Sequence, residues 1–286
     1  MAPGRSAITS MSPFCRNSLL LLTLATSPAL ADEPLTLERK LDLLAAAYPA
    51  AIERVEDNLL YFIDDGEPLE IDDGHSKSHA EKLQQADIED MLSQIYPAGP
   101  CERETVLNFD PGRIRSDTLM RRLFGASANE VRKQLTSIDW FGQKLSVTTR
   151  HDVDKALIKV RDAIAADPEL VKYATRSGGT YNWRNIAGTR RLSVHSFGAA
   201  IDLNTGYADY WRWAGGKPGD VPQYRNSYPM KLVALFEQHG FIWGGRWYHY
   251  DTMHFEYRPE LLAIAAESPD GDACSEPGKP EKNNDF

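Results

Sequence analysis

The chain has 286 residues, with 41 acidic against 32 basic side chains and a formal net charge of −9. That balance excludes nucleic acid as the main partner, because affinity there comes largely from Lys and Arg neutralising phosphates. A content of 42% hydrophobic residues with 10% aromatics excludes global disorder, and the length supports a real core without help from metal or disulfides.

Residues 1–31 carry Arg5 and Arg16, no acid, an apolar run from Leu19 to Ala25, and Ala29-Leu30-Ala31 before Asp32. These are the three regions of a secretory signal peptide, and the apolar run is too short to span a bilayer. Removing 31 residues and two positive charges from −9 leaves an exported protein of charge −11 with no membrane span, expected in the periplasm or secreted. In an oxidising compartment Cys101 and Cys274 can form one disulfide, with two free thiols as the alternative.

Residues 32–104 read as a mainly helical N-terminal subdomain. Leu37, Leu41, Leu44 and Tyr48 recur at helical spacing, and Ile52, Val55 and Leu59 resume it after Pro49. Leu60–Ile63 and Leu69–Ile71 flank Asp65-Gly66 as a small hairpin, and a helical stretch follows at about 80–95. His75 and His79 read as solvated loop residues. Pro97, Gly99 and Pro100 break the chain.

Residues 105–266 intermix helices and short strands, which points to an α+β class. Ser127 and Glu130 form a capping box opening a helix to about 136; Leu145, Val147 and Thr149 alternate as a strand; Val153 to Ile164 mark an amphipathic helix ended by Pro168. Tyr173–Thr175 and Thr180–Trp183 flank Ser177-Gly178-Gly179 as a hairpin candidate. A helix starts at Pro229 and is capped at Gly240, and strands follow near 241–243 and 252–257. Residues 267–286 form a polar tail.

Five of the seven histidines fall after residue 150, and two anchor distinctive phrases, Ser193-Val194-His195-Ser196-Phe197-Gly198-Ala199-Ala200-Ile201-Asp202 and Asp251-Thr252-Met253-His254-Phe255-Glu256. Asp202 ends an apolar run and His254 sits between Met253 and Phe255, so both are polar groups drawn toward a core, costly unless paired or coordinated. A divalent cation is the economical shared partner. Imidazole and carboxylate suit zinc, which in hydrolytic sites takes three protein ligands and keeps a fourth position open. His195, Asp202 and His254 supply three. A seven-residue gap would put the first two on opposite faces of a continuous strand, and Gly198 offers the turn that reunites them. Asp251, three residues before His254, suits a general base beside the metal.

The pattern S-x-H-x-x-G-x-A-x-D followed about fifty residues later by D-x-x-H-F-E resembles the D-alanyl-D-alanine carboxypeptidase (VanY-like) family of zinc peptidases, grouped with the L-alanyl-D-glutamate endolysins and sharing a metal-site core with hedgehog domains. The resemblance covers roughly residues 140–262. It implies a small antiparallel sheet with helices carrying the site, one Zn2+ per chain held by His195, Asp202 and His254, Asp251 as catalytic base, and peptidoglycan stem peptides as substrate. It also implies an upstream arginine that holds the substrate carbonyl. Arg184 fits that slot best and Arg176 second, while Arg190 and Arg191 read as solvated loop charges.

Ser193 and Glu256 are candidates for bonding a ligand side chain, and Trp243 and Trp247 for lining the cleft. His249 is the rival metal ligand. Residues 207–220, rich in aromatics and glycine, are expected to loop over the cleft. The rival function is a catalytically silent, zinc-containing relative that binds cell-wall material or a protein.

Overall fold

The computed structural model describes Met1, residues 34–104 and residues 106–275, so the expected signal peptide and the end of the polar tail lie outside the described residues. Thr36 caps the first helix, α1 (Leu37–Ala47), whose Leu41 and Leu44 face inward. The expected continuation of this helix past Pro49 does not occur. Ile52 and Val55 lie instead on β1 (Ile52–Glu56), which pairs antiparallel with β2 (Leu59–Phe62) through a turn holding Asp57 and Asn58 at φ 47° and 63°. Two left-handed residues give a hairpin turn whose twist matches the strands, and the short polar side chains of Asp and Asn tolerate them best after glycine. The expected hairpin around Asp65-Gly66 is present, with β3 (Leu69–Glu70) pairing to β2.

The helical stretch expected at 80–95 is two short helices, α2 (His79–Gln85) and α3 (Ile88–Met91), each opened by its own capping box at Ser78 and Asp87. After α4 (Asp117–Phe124), the Ser127 cap opens α5 (Ala128–Arg132). This helix ends sooner than expected because Leu135 begins β4 (Leu135–Trp140), hairpin partner of β5 (Gln143–Thr148). Helix α6 (Val153–Ala165) follows the amphipathic pattern, and α7 (Pro168–Ala174) takes Tyr173, in place of the expected hairpin strand.

Ser177–Gly179 is not a turn but β6, the edge of a four-stranded antiparallel sheet. Its other strands are β7 (Ala200–Asn204), β9 (His254–Tyr257) and β8 (Phe241–Trp243), in the order β6-β7-β9-β8, with α8 (Met230–Glu237) leading into β8 and α9 (Pro259–Glu267) closing the chain. The architecture is α+β with small antiparallel sheets.

One hydrophobic cluster runs from Leu41, Leu44 and Leu60 through Trp140 and Val160 to Phe236 and Phe255. Buried hydrogen bonds cross the same span. The Tyr48 hydroxyl donates to Glu260 Oε2 at 2.7 Å, and the Tyr96 hydroxyl donates to Glu237 Oε1 at 2.7 Å while accepting from Trp243 N at 2.9 Å. The disulfide Cys101–Cys274 ties the segment after α9 to the middle of the chain. Among the described residues no helix is long and apolar enough to cross a membrane.

Candidate active site

The sheet register solves the problem of bringing distant residues together. In β7 and β9, Asp202 is the direct partner of His254 and Ala200 that of Glu256. Directly opposed residues share a face, so Asp202 and His254 meet, with Glu256 two positions along the same side. His195 arrives from outside the sheet, on a 3-10 turn at Val194–Phe197 capped by Ser193, whose Oγ accepts from His195 N at 3.4 Å. Gly198 then reverses the chain at φ 68°, where an added Cβ would lie 2.7 Å from Leu135 Cδ2. The tight left-handed turn needs glycine here, and it swings His195 back over β7.

Three donor atoms converge. His195 Nε2 lies 3.1 Å from Asp202 Oδ1 and 3.2 Å from His254 Nδ1, and His254 Nδ1 lies 3.0 Å from Asp202 Oδ1. A tetrahedral ion with ligands at about 2.0–2.1 Å separates them by about 3.3 Å, so this triangle is close to one face of such a site. The remaining ring nitrogens are fixed by acceptors. His195 Nδ1 faces the Thr180 carbonyl at 2.7 Å and His254 Nε2 faces Glu256 Oε2 at 3.1 Å. Each imidazole therefore donates outward and turns a lone pair toward the common point, the arrangement that orients metal-binding histidines.

The electrostatics ask for a cation. Burial would raise the Asp202 carboxyl, but the His195 and His254 imidazoles outweigh it and hold Asp202 far below the usual carboxylate range. Burial disfavours a charged His254, yet hydrogen bonds to Asp202 and Glu256 push it up to about 10. Burial likewise works against an ionised Glu256, but His254 and then Arg258 bring it down to about 2. A proton or a metal ion satisfies this cluster of lone pairs, and the donor set of two imidazoles and a carboxylate suits zinc.

Asp251 lies on the turn entering β9, its N–H donating to Gly244 O at 3.0 Å and its carbonyl accepting from His254 N at 3.2 Å. Its Oδ1 is buried and makes no hydrogen bond among the described residues. Burial first, and then the charge of Asp202, push Asp251 up to about 6. A carboxyl group near neutrality with a free oxygen can take up a proton and hand it on.

A cavity of about 330 Å³ opens over these groups, lined among others by His195, Asp202, Asp251 and His254. Ser193, Glu256, Trp247 and Arg184 also line it, whereas Arg176 and Trp243 do not. Trp243 of β8, paired with Phe255, is buried on the opposite face of the sheet from His254, its indole N–H on Thr252 O at 2.7 Å. Tyr210, Trp211 and Trp213 bring the 207–220 segment to the cavity wall.

His249 stands apart from the triangle. Its Nδ1 donates to Asp110 Oδ2 at 2.8 Å, and its Nε2 accepts from Gly219 N at 3.4 Å, which leaves the ring proton on Nδ1. His79 Nε2 reaches the same Asp110 oxygen at 2.9 Å. His79 is thus no solvated loop residue, since the Ser78 cap starts α2 at His79 with the ring held against Asp110. Asp110, His79 and His249 are close enough to hold a metal, but two imidazole N–H groups already satisfy that carboxylate. The acidic grouping of Asp73, Asp87 and Asp90 surrounds the Lys77 ammonium, 2.8 Å from each.

Sequence reasoning missed the arginines. Arg191, expected to be solvated, is buried and donates to the carbonyls of Leu83, Arg113 and Arg115 as well as to Asp117. Its partners, the end of α2, the irregular backbone at Arg113 and Arg115 and the first side chain of α4, are far away in the chain, which no local pattern announces.

His195, Asp202 and His254 thus form a buried, oriented group of three donors with the spacing to hold one metal ion, and Asp251 keeps an unbonded oxygen nearby in the chain. A family model described as D-alanyl-D-alanine carboxypeptidase matches residues 187–257, the stretch that holds every member of the triangle together with Asp251, and this match supports a peptidase of that family. No curated protein and no solved structure matches the chain.

Proposed function

We propose that this protein is an exported, periplasmic or secreted zinc metallopeptidase that hydrolyses peptide bonds of peptidoglycan stem peptides, of the D,D-carboxypeptidase or L-Ala-D-Glu endopeptidase type. The observation that carries the reading is the 3.0–3.2 Å triangle of His195, Asp202 and His254 donors, two of them oriented from behind by Thr180 and Glu256. One zinc ion held there supplies a Lewis acid for the scissile carbonyl and a water made nucleophilic near neutral pH. Asp251, which lines the cavity and keeps a carboxylate oxygen free of hydrogen bonds, takes the proton from the attacking water and delivers it to the leaving amine. Arg184, on the same wall, supports the negative charge that develops on the carbonyl oxygen. Ser193 and Glu256 keep the two imidazoles in place, the first through the backbone turn and the second through the ring.

Digestion of purified peptidoglycan with zinc-loaded protein, followed by mass analysis of the products, tests the proposal. New amine termini that vanish with chelator support it. Intact muropeptides in the presence of bound zinc would leave only a binding role.

A further inference from the structure

The turn Asp110–Arg113 lies outside the stretch matched by the family model, yet each of its four residues is bonded to a group beside the cavity. The Asp110 carboxylate takes the ring protons of His79 and His249, and its Oδ1 also accepts from His249 N at 2.9 Å. Pro111 O accepts the Trp247 indole N–H. Gly112 O accepts from Arg258 Nη1 at 3.1 Å, and that same guanidinium holds Glu256 behind His254. Arg113 O accepts from Arg191 Nη1 at 3.2 Å. Gly112 has φ 98°, and a Cβ there would lie 2.3 Å from Ile242 Cδ1, so the turn packs directly against the site's sheet.

A turn fixed at four consecutive residues presents the Arg113 side chain in one place. The guanidinium lies over the Trp247 ring, 5.4 Å from its centroid, and lines the cavity with Asp251 and His254. Its Nε is buried and makes no hydrogen bond among the described residues; the Asp110 carboxylate approaches it only to 3.8 Å. Other arginines on the cavity wall are differently placed. Arg115 and Arg191 are buried and donate to backbone carbonyls, and Arg184 and Arg212 are exposed. Arg113 alone among these combines a rigid mount, an aromatic backing and uncommitted donors. Such a fork matches a carboxylate through two parallel hydrogen bonds.

We propose that Arg113 anchors the C-terminal carboxylate of the substrate, so that the segment preceding the matched stretch supplies part of the binding site. The proposal rests on the peptidase reading above and narrows it to a peptide presenting a free carboxylate to the cleft.

The test uses the zinc-loaded full chain and two probes, a synthetic stem pentapeptide ending in D-Ala-D-Ala as the free acid and as the C-terminal amide. Hydrolysis and calorimetric binding are both measured for wild type, Arg113→Ala, Arg113→Lys and Arg184→Ala. Wild type is expected to prefer the acid. Arg113→Ala should lower kcat/KM for the acid about 30- to 100-fold, mostly through KM, and barely change it for the amide. Arg113→Lys, which keeps the charge but not the fork, should fall between, and it decides the matter if the alanine variant does not fold. Arg184→Ala should leave the acid-to-amide ratio intact. Hydrolysis with an unchanged ratio in the Arg113 variants overturns the anchor and leaves the peptidase standing. Acid-selective binding that depends on Arg113, without hydrolysis, overturns the peptidase and leaves the anchor. Wild type that binds neither probe overturns both.

Discussion

Glu256→Gln probes the proposed metal centre without touching a proposed ligand. Glu256 Oε2 faces His254 Nε2 at 3.1 Å and Oε1 accepts from Arg258 Nη1 at 3.1 Å, in a fully buried position. Glutamine keeps the shape and one acceptor but loses the charge, so the bond orienting His254 weakens, or the amide turns and opposes an N–H with an N–H. Outer partners of metal-bound histidines contribute about 10- to 100-fold in affinity, which is about 1.4–2.7 kcal/mol. A second cost falls on the metal-free protein, since Arg258 and Arg115 lose a counter-charge. Arg258 keeps Glu260 at 2.5 Å and Arg115 keeps Asp117 at 3.6 Å. The loss is therefore smaller than the 3–5 kcal/mol of a wholly unpaired buried charge, about 2 kcal/mol. Zinc affinity is read by competition with a chromophoric chelator, and stability by urea unfolding of the metal-free protein. A variant that unfolds more easily yet binds zinc within threefold of wild type would refute the assignment of His254 as a ligand oriented by Glu256.

Three further outcomes are expected. His254→Ala should drop zinc stoichiometry from one per chain to near zero by elemental analysis, while His249→Asn leaves it unchanged; the reverse pattern would move the ion to Asp110. Asp251→Asn should keep its zinc and lose about 10²- to 10⁴-fold in turnover, and wild-type turnover would remove Asp251 as the base. Asp110 concerns stability against pH. Burial pushes its carboxyl up, but His249, His79 and Arg113 hold it well below the usual range. A depressed folded pKa gives stability that is full above the unfolded value of about 3.9 and lost as pH falls below it, by up to about 1.4 kcal/mol per pH unit for one proton. Urea unfolding between pH 6 and pH 3 should show this acid loss in wild type and a shallower one in Asp110→Asn; equal slopes would deny the carboxylate that role.

The triangle was legible because its members sit in phrases where polar residues interrupt apolar ones. Asp202 after Ala199-Ala200-Ile201 and His254 between Met253 and Phe255 carry their anomaly in their immediate neighbours. Gly198 was legible for the same reason, since a left-handed turn needs the residue type that is visible there. His79, Asp110, Arg113 and Arg191 were not legible. Each is an ordinary polar residue in a polar context, and its importance comes from a partner across the fold: His79 with Asp110, Asp110 with His249, and Arg191 with the carbonyls of Leu83, Arg113 and Arg115. The same limit misread the fold locally. Ile52 and Val55 fit a helix by spacing and a strand by β-branching, and the Asp57-Asn58 turn decided the matter. Ser177-Gly178-Gly179 has turn composition, but cross-strand pairing with Asp202 and Asn204 makes it a strand.

The buried arginines explain why the residues before the matched stretch cannot be treated as a detachable cover. Arg115 donates to Leu192 O, Arg191 to Leu83 O, Arg246 to Cys101 O and Gly99 O at 2.6 Å each, and Arg258 to Gly112 O. Every one of these bonds joins residues 83–115 to residues 191–258, and most of the accepting carbonyls lie in irregular backbone with no strand or helix partner. A buried carbonyl without a partner costs on the order of 1–3 kcal/mol, and a guanidinium, with five donors in a rigid fork, can serve two or three at once. The front segment thus relies on residues 191–258 to satisfy the carbonyls of Leu83, Gly99, Cys101 and Gly112, while those residues rely on the front segment to hydrogen-bond the buried guanidiniums of Arg191, Arg246 and Arg258 and the carbonyl of Leu192. Removing either side would strand both sets of groups together. Arg258, bonded at once to Gly112 O and to Glu256, carries that dependence to within one side chain of the His254 imidazole.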